Sequence, residues 1–173
     1  MKLEEVKEPY KSAAKEAAES LLKVFDVHSV ILYGSVAREE QTERSDLDLF
    51  VIAESLPYSP FERRKALFEA TKDVSNKYRI DIFPDGKAID EVYSYFDPFY
   101  FDLYADGIIV YDRECYGQKL LERIGKKVKE QGWVRYKTTD GYYGWTLKDL
   151  KFGQVIEVNF DDQTFLLERK VPS

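Results

Sequence analysis

Hydrophobic residues recur with helical spacing near the start of this chain and then in short continuous runs. Residues 11–25 (KSAAKEAAESLLKVF) combine helical spacing with good helix formers and therefore predict an α-helix. Two runs rich in β-branched and aromatic residues follow, at 28–33 (HSVILY) and 47–53 (LDLFVIA). Each of these runs predicts a buried strand.

A second helix is predicted from Ser59, which can cap it, through Pro60 at its first position to about Lys77. A third strand is predicted over 79–83 (RIDIF), and the Pro-Asp-Gly sequence at 84–86 is expected to stop it. The resulting order of helix, strand, strand, helix, strand is typical of an α/β or α+β domain.

The rest of the chain carries a smaller set of predicted elements. They are a short helix at 88–95, a strand at 107–111, a helix at 116–131 that Gly132 ends, and a strand at 154–160. Between the last two, aromatic runs flank an Asp-Gly turn and predict a β-hairpin. We expect a domain over residues 1–113 and a small α+β extension over residues 114–173.

Composition narrows the class of protein. The net charge of -6 argues against general DNA binding. Apolar runs are all shorter than the roughly 20 residues that span a bilayer, and the first residues lack the apolar core of a secretory signal. A single cysteine fits a reducing compartment, so a cytoplasmic protein without membrane segments is expected. The 34% of charged residues, with few Asn, Gln, Cys and Met, resembles a thermophile's composition.

Two aspartates one residue apart interrupt the second apolar strand. Residues two apart in a strand point to the same side, so Asp46 and Asp48 project together while Leu47 points towards the core. Such close like charges repel one another unless a cation lies between them. Asp81 stands in a similar apolar frame, and adjacent strands would bring the three carboxylates together. Hard oxygen ligands of this kind suit Mg²⁺.

Each feature alone has an ordinary explanation. An Asp-x-Asp pair on a solvent-facing strand is more often a plain polar face, and Gly34-Ser35 could be an ordinary strand-to-helix turn. A glycine at the end of an apolar strand nevertheless permits close approach of a ligand. Ser35 offers a hydroxyl and a backbone N–H at the start of a helix, which suits phosphate.

The combined pattern resembles the nucleotidyltransferase superfamily that includes DNA polymerase β, and in particular the minimal nucleotidyltransferases of prokaryotes. It consists of Gly34-Ser35, ten residues, Asp46-x-Asp48 preceded by Ser45, and then the apolar-flanked Asp81. The resemblance covers residues 28–84, about a third of the chain. It implies a nucleotidyltransferase fold, a short mixed β-sheet backed by helices.

The resemblance also implies a reaction and roles for residues. A nucleoside monophosphate would pass from an NTP, expected to be ATP, to a hydroxyl, with release of pyrophosphate. Asp46 and Asp48 would bind Mg²⁺, two ions being expected with bound nucleotide, and Asp81 would complete the metal-binding triad and help to activate the hydroxyl. Gly34 and Ser35 would hold the β- and γ-phosphates.

Arg38 is a further candidate contact for phosphate, although a solvated helix residue is an equally good interpretation. Many members of the family have glycine after this arginine, whereas this chain has Glu39-Glu40. An acidic pair beside a triphosphate is unfavourable unless it points away from the phosphates. The sequence therefore departs from the family pattern at this point.

The C-terminal extension resembles that of minimal nucleotidyltransferases encoded beside HEPN-domain toxins. The matching residues are Trp145, Leu147, Lys148 and Gly153. The family members in such pairs add AMP to a tyrosine of the HEPN partner, so a HEPN-domain protein encoded nearby is the expected partner. The aromatic residues of the extension are more typical of a small core or a partner interface than of base stacking.

Two alternatives stay open at this level. The protein could neutralise a HEPN partner by docking alone, without catalysis. It could also modify a small molecule, as the aminoglycoside nucleotidyltransferases do, but that activity needs an acceptor pocket that the sequence does not reveal. The sequence leaves the oligomeric state and the NTP preference open.

Overall fold

A four-stranded mixed sheet lies at the centre of the protein, which the computed structural model describes over residues 2–94, 96–151, 153–160 and 163–168. Its strands are β1 (Val27–Tyr33), β2 (Leu47–Ala53), β3 (Ile82–Ala88) and β4 (Ile108–Asp112). Their order is β3-β2-β1-β4. β1 runs antiparallel to β2 and β4, whereas β2 and β3 are parallel. The predicted mixed sheet backed by helices is confirmed.

Helices cover both faces of this sheet. They are α1 (Tyr10–Val24), α2 (Gly34–Ala37), α3 (Pro60–Tyr78), α4 (Ile89–Ser94), α5 (Phe99–Asp106) and α6 (Tyr116–Gln131), with a 3₁₀ turn at Leu3–Glu5. α3 begins as predicted, because the Glu62 N–H donates to the Ser59 hydroxyl at 3.4 Å and Pro60 occupies the first turn. α6 ends at Gly132, whose φ of 74° is in the left-handed region that glycine adopts readily.

Side chains of β2 alternate between two apolar clusters. Leu47, Leu49 and Val51 belong to the cluster that includes the apolar faces of α1 and α3. Phe50 and Ile52 belong to the cluster on the other face, with residues of α5 and α6. Each fully buried side chain of this kind stabilises the fold by about 1.5–3 kcal/mol. The two-sided burial explains why β2 is almost continuously apolar apart from its aspartate.

The C-terminal extension forms two separate hairpins. β5 (Trp133–Lys137) pairs antiparallel with β6 (Tyr143–Leu147), as predicted, and β7 (Val155–Phe160) pairs with β8 (Gln163–Glu168). Trp133 and Trp145 pack on Phe101, with ring centroids 4.8 and 5.2 Å apart. The aromatic residues therefore build a small core against α5. The division of the chain at residue 113 stays a prediction.

The prediction of a strand over 79–83 was wrong in its limits. β3 begins at Ile82 and continues through Pro84 and Gly86. Proline lacks an N–H, but β3 is an edge strand, where a missing donor is tolerated. The short helix predicted over 88–95 is α4, and residue 95 lies outside the described residues. The sequence pattern missed α5 and β8 altogether. Within the described ranges, no helix is long and apolar enough to cross a membrane.

Candidate active site

Gly34 joins the end of β1 to the short helix α2 with a φ of 77°, a backbone conformation that favours glycine. A β-carbon at this position would collide with the carboxylate of Asp48. Glycine is therefore required for two independent reasons, the backbone conformation and the space. Ser35 follows as the second residue of α2 and is half-buried.

Strand register places the predicted aspartates at one end of the sheet. Asp48 lies between Tyr33 on β1 and Phe83 on β3. The Leu47 N–H donates to the Asp81 carbonyl at 2.8 Å, so Asp81 immediately precedes β3 at the level where Asp46 precedes β2. The prediction that the strands carrying Asp48 and Asp81 lie side by side is confirmed, because β2 pairs with β3. Ile82 is buried in the core, whereas Asp81 is exposed.

The three carboxylates differ in their environments. Asp46 and Asp81 are exposed, and Asp48 is half-buried. Burial raises the pKa of Asp48, the charge of Asp46 raises it further, and Arg38 acts in the opposite direction. Asp48 is consequently a carboxylate whose charge is poorly compensated by its surroundings.

This donor set fits a hard divalent cation. Within the described part of the chain, none of Asp46, Asp48 and Asp81 forms an ion pair with a lysine or arginine. The carboxylate oxygens of these three aspartates do not all lie within 4.8 Å of one another. Among the described residues, potential metal ligands come that close together only in a different cluster. The backbone thus brings the three aspartates to one end of the sheet without closing their side chains together.

That other cluster consists of Asp26, His28 and Glu54. His28 Nε2 lies 2.8 Å from Glu54 Oε2, and Arg113 donates to Asp26 at 2.6 Å. The same guanidinium lies 2.9 Å from His28 Nε2. Since Arg113 already supplies a positive charge there, the cluster is an ion-pair network that ties β1 to the segment after β4.

The loop before Asp46 is held by a residue that the sequence reasoning missed. The Tyr10 hydroxyl donates to the carbonyls of Thr42 and Ser45 at 3.0 and 3.3 Å. Within the loop, the Thr42 N–H donates to the Ser45 hydroxyl at 2.8 Å. These bonds fix the chain just before Asp46. Local sequence carries no signal for Tyr10, because it is 32 residues from Thr42.

Arg38 is engaged by carboxylates on two sides. Its Nε donates to Glu40 at 2.9 Å and a terminal nitrogen donates to Asp106 at 3.1 Å. Glu40 also accepts from Lys137 and from the Tyr143 hydroxyl, each at 2.6 Å. Lys137, Tyr143 and Arg38 together lower the pKa of Glu40 to about 2. Glu40 therefore faces the β5–β6 hairpin.

Glu39 occupies the position at which the resemblance predicts glycine. Its φ is 59°, in the left-handed region that is unfavourable for residues with a side chain. The backbone conformation of this turn therefore favours glycine at position 39. Glu39 adopts this conformation at an energetic cost, and its exposed side chain lies outside the core.

Arg135 on β5 is a second guanidinium at this site that sequence reasoning missed. It donates to both carboxylate oxygens of Asp106, at 2.5 and 2.7 Å. It also lies over the Tyr143 ring, 4.0 Å from the centroid. No local pattern predicts Arg135, since its partner Asp106 belongs to α5, the helix that the sequence pattern missed.

Two cavities meet at Tyr33. The hairpin-side cavity, of about 350 Å³, is lined by Tyr33, Gly34, Arg38, Phe99, Asp102, Asp106, Arg135, Gly141, Tyr142 and Tyr143. The β3-side cavity, of about 480 Å³, is lined by Tyr33, Phe61, Arg64, Lys65, Phe68, Phe83, Pro84 and Asp85. Tyr33 and Phe83, the partners of Asp48 on the two neighbouring strands, both line the β3-side cavity, so this cavity opens beside Asp48.

Known proteins match the part of the chain that contains this site. The family model of the nucleotidyltransferase domain matches residues 12–103. A Methanocaldococcus jannaschii protein, provisionally named a protein adenylyltransferase, is 32% identical over 126 residues. That match covers 72% of this chain and 84% of the relative. The chain therefore belongs to the nucleotidyltransferase domain family and is a nucleotidyltransferase.

Solved structures are similar at lower levels. One chain of a toxin–antitoxin structure with AMP-PNP is 14% identical, with 67% of this chain and 87% of that chain covered and a TM-score of 0.49. A Sulfolobus solfataricus protein provisionally described as a nucleotidyltransferase is 22% identical, with 60% and 80% covered and a TM-score of 0.41. Both TM-scores are below 0.5, so the family assignment rests on the sequence matches.

Proposed function

We propose that this protein transfers AMP from ATP to a hydroxyl group of a partner protein in a Mg²⁺-dependent reaction. The observation that carries the proposal is the contact between Gly34 and Asp48, which places a glycine turn suited to phosphate directly against a carboxylate suited to a metal. The protein adenylyltransferase name of the M. jannaschii relative supports the choice of AMP and of a protein acceptor.

Each residue has a defined task in this proposal. Asp46, Asp48 and Asp81 hold the metal, which when bound neutralises negative charge that develops on the phosphate oxygens. Gly34 and Ser35 hold the β- and γ-phosphates through their backbone at the start of α2. Because Tyr10 fixes the loop before Asp46, that loop positions the first carboxylate.

The chemical step is a displacement at the α-phosphorus of ATP. The acceptor oxygen forms a bond to that phosphorus, and the bond from the phosphorus to the α,β-bridging oxygen breaks with its electron pair leaving on pyrophosphate. Asp81 receives the proton of the acceptor hydroxyl. It is suited to this task because it is exposed and unpaired with any cation in the described residues.

The proposed partner is a HEPN-domain protein encoded beside this one. The support for this partner is the resemblance of the Gly-Ser and Asp-x-Asp pattern, together with the Trp145 to Gly153 segment, to minimal nucleotidyltransferases of such pairs. The hairpin of the extension contacts the turn through Lys137 and Glu40, so a partner that binds the extension would lie near the nucleotide.

The test uses ATP labelled on the α-phosphate, Mg²⁺ and the product of the neighbouring gene. Wild type is expected to label that product, and the double variant Asp46→Ala/Asp48→Ala is expected to lose the label while still forming the complex. ATP labelled on the γ-phosphate should leave the product unlabelled. Complex formation without α-label transfer by wild type would replace the proposal with the non-catalytic docking module.

A further inference from the structure

The β3-side cavity opens to solvent and has a largely apolar lining, in which half of the residues are aromatic. Phe61, Phe68 and Phe83 line it while remaining 78%, 42% and 48% exposed. Exposing large apolar side chains on one contiguous surface is unfavourable, and such patches usually mark binding sites. These three side chains come from α3 and from β3, which is an edge strand of the sheet in the described part of the chain.

Two basic side chains border the same cavity. Arg64 and Lys65 are exposed residues of α3, and the described part of the chain offers neither of them an ion-pair partner. Other basic residues of α3 are paired, as Arg63 is with Glu91 at 2.7 Å. In a chain with a net charge of -6, unpaired cations beside exposed aromatic rings favour a ligand that is both acidic and apolar.

The cavity extends from Tyr33 on β1 to Phe83 on β3, the two residues that are in register with Asp48. An in-line displacement requires the attacking and leaving oxygens on opposite sides of the phosphorus. If the leaving pyrophosphate is held at Gly34, which follows β1, the acceptor approaches from the β3 side of Asp48. Phe83 is the β3 residue in register with Asp48, and it lines the cavity.

We propose that the β3-side cavity is the acceptor site, and that it binds an acidic polypeptide segment with an aromatic side chain placed among Phe61, Phe68 and Phe83. Arg64 and Lys65 contact the acidic residues that flank that side chain. This inference rests on the proposed function, since it identifies the acceptor of the same reaction.

Charge and lining favour this occupant over two others. Cationic small molecules would be repelled by Arg64 and Lys65. Nucleic acid requires a track of several cations along its backbone, whereas this cavity combines two cations with Asp85 and a largely apolar surface. An acidic polypeptide segment needs only two cations and an apolar surface, and Arg64 and Lys65 outnumber the single carboxylate of Asp85 in this lining.

The first experiment measures binding, so it does not depend on transfer. The probe is a fluorescein-labelled copolymer of glutamate and tyrosine, added to the full chain with Mg²⁺ and a non-hydrolysable ATP analogue. Anisotropy is expected to report saturable binding of this probe. Copolymers of glutamate with alanine and of lysine with tyrosine should bind at least about tenfold more weakly.

Variants on α3 locate the binding surface. Arg64→Glu and Lys65→Glu should each weaken binding of the glutamate–tyrosine probe about tenfold, while Lys72→Glu on the same helix outside the cavity should leave it unchanged. Binding of the ATP analogue should be unchanged in all three. Asp48→Asn should retain binding of the probe, which separates acceptor binding from the proposed chemistry.

Four results would overturn the inference. The first is the absence of saturable binding of the glutamate–tyrosine probe, and the second is that Lys72→Glu weakens binding of this probe as much as Arg64→Glu does. The third is that oligoadenylate RNA binds more tightly than the probe and depends on Arg64 in the same way. The fourth is that Arg64→Glu no longer binds the ATP analogue. The last would assign the cavity to the nucleotide. Failure of α-label transfer with probe binding intact would count against the proposed function alone.

Discussion

Gly34 and Asp48 lie so close together that no side chain at position 34 can coexist with the carboxylate at position 48. Gly34 begins α2, whereas Asp48 belongs to β2, 14 positions later in the sequence. Their contact joins the turn proposed for phosphate to the aspartate proposed for the metal. The positive φ of 77° at Gly34 also favours glycine at this position.

Gly34→Ala is expected to lower the rate of nucleotidyl transfer by about 100-fold or more, because its β-carbon must displace Asp48. The matched control is Gly132→Ala, whose φ of 74° imposes a similar backbone strain while no atom lies within 4 Å of the new β-carbon. Both variants should unfold at lower urea concentrations than wild type. Only Gly34→Ala should also lose transfer activity under conditions in which it is folded. Equal activity of the two would contradict the role of the contact.

Asp48→Asn is expected to stabilise the metal-free protein at pH 7 while abolishing transfer. The pKa of Asp48 is raised in the folded state, so its contribution to stability is present below about pH 4 and lost as the pH rises through the folded pKa. At pH 7 the buried charge therefore opposes folding. Urea denaturation of wild type and variant should differ at pH 7 and converge at pH 3. A variant that is less stable at pH 7 would refute this reasoning.

Asp106→Asn is expected to destabilise the fold by roughly 2 kcal/mol, because it leaves Arg38 and Arg135 without their shared carboxylate. The value is below that of a fully buried pair, since side-chain exposure is 24% for Arg38 and 18% for Arg135. Asp26→Asn is the control, because its pair with Arg113 is exposed to solvent and should contribute much less to stability. Equal losses of unfolding free energy in Asp106→Asn and Asp26→Asn would show that the carboxylate shared by the two arginines is no more stabilising than an exposed ion pair.

Glu39→Gly is expected to raise the free energy of unfolding by about 1 kcal/mol, because glycine adopts the φ of 59° without strain. Glu43→Gly, in the following loop, should instead lose stability through the greater entropy of the unfolded chain. Thermal melts of the two variants measure this difference. A loss of stability in Glu39→Gly as large as in Glu43→Gly would show that the left-handed turn is not strained.

The sequence was sufficient for the elements that carry strong local signals. The run LDLFVIA coincides with β2, and Ser59-Pro60 marks the start of α3, because a continuous apolar run, capping and proline geometry all act within a few residues. Pro84 misled the prediction for β3, since an edge position tolerates proline and the edge is known only from the sheet.

The candidate site was predictable only in part, for a similar reason. Strand geometry alone predicted that Asp46 and Asp48 share a face, and the expected pairing of strands predicted that Asp81 lies near them. Tyr10 and Arg135 could not be found in this way, because they reach the site from α1 and from the hairpin through tertiary contacts. The acidic pair after Arg38 departs from the family pattern, and in the structure Glu40 of this pair turns towards Lys137.

Metal binding with nucleotide is the most direct test of the account, because it requires no acceptor. Electron paramagnetic resonance can count bound Mn²⁺ with a non-hydrolysable ATP analogue in wild type, Asp48→Asn and Glu54→Gln. We expect nucleotide-dependent Mn²⁺ binding in wild type, its loss in Asp48→Asn and no change in Glu54→Gln, whose carboxylate belongs to the Arg113 network. Binding that survives in Asp48→Asn, or that disappears in Glu54→Gln, would contradict the assignment of the site.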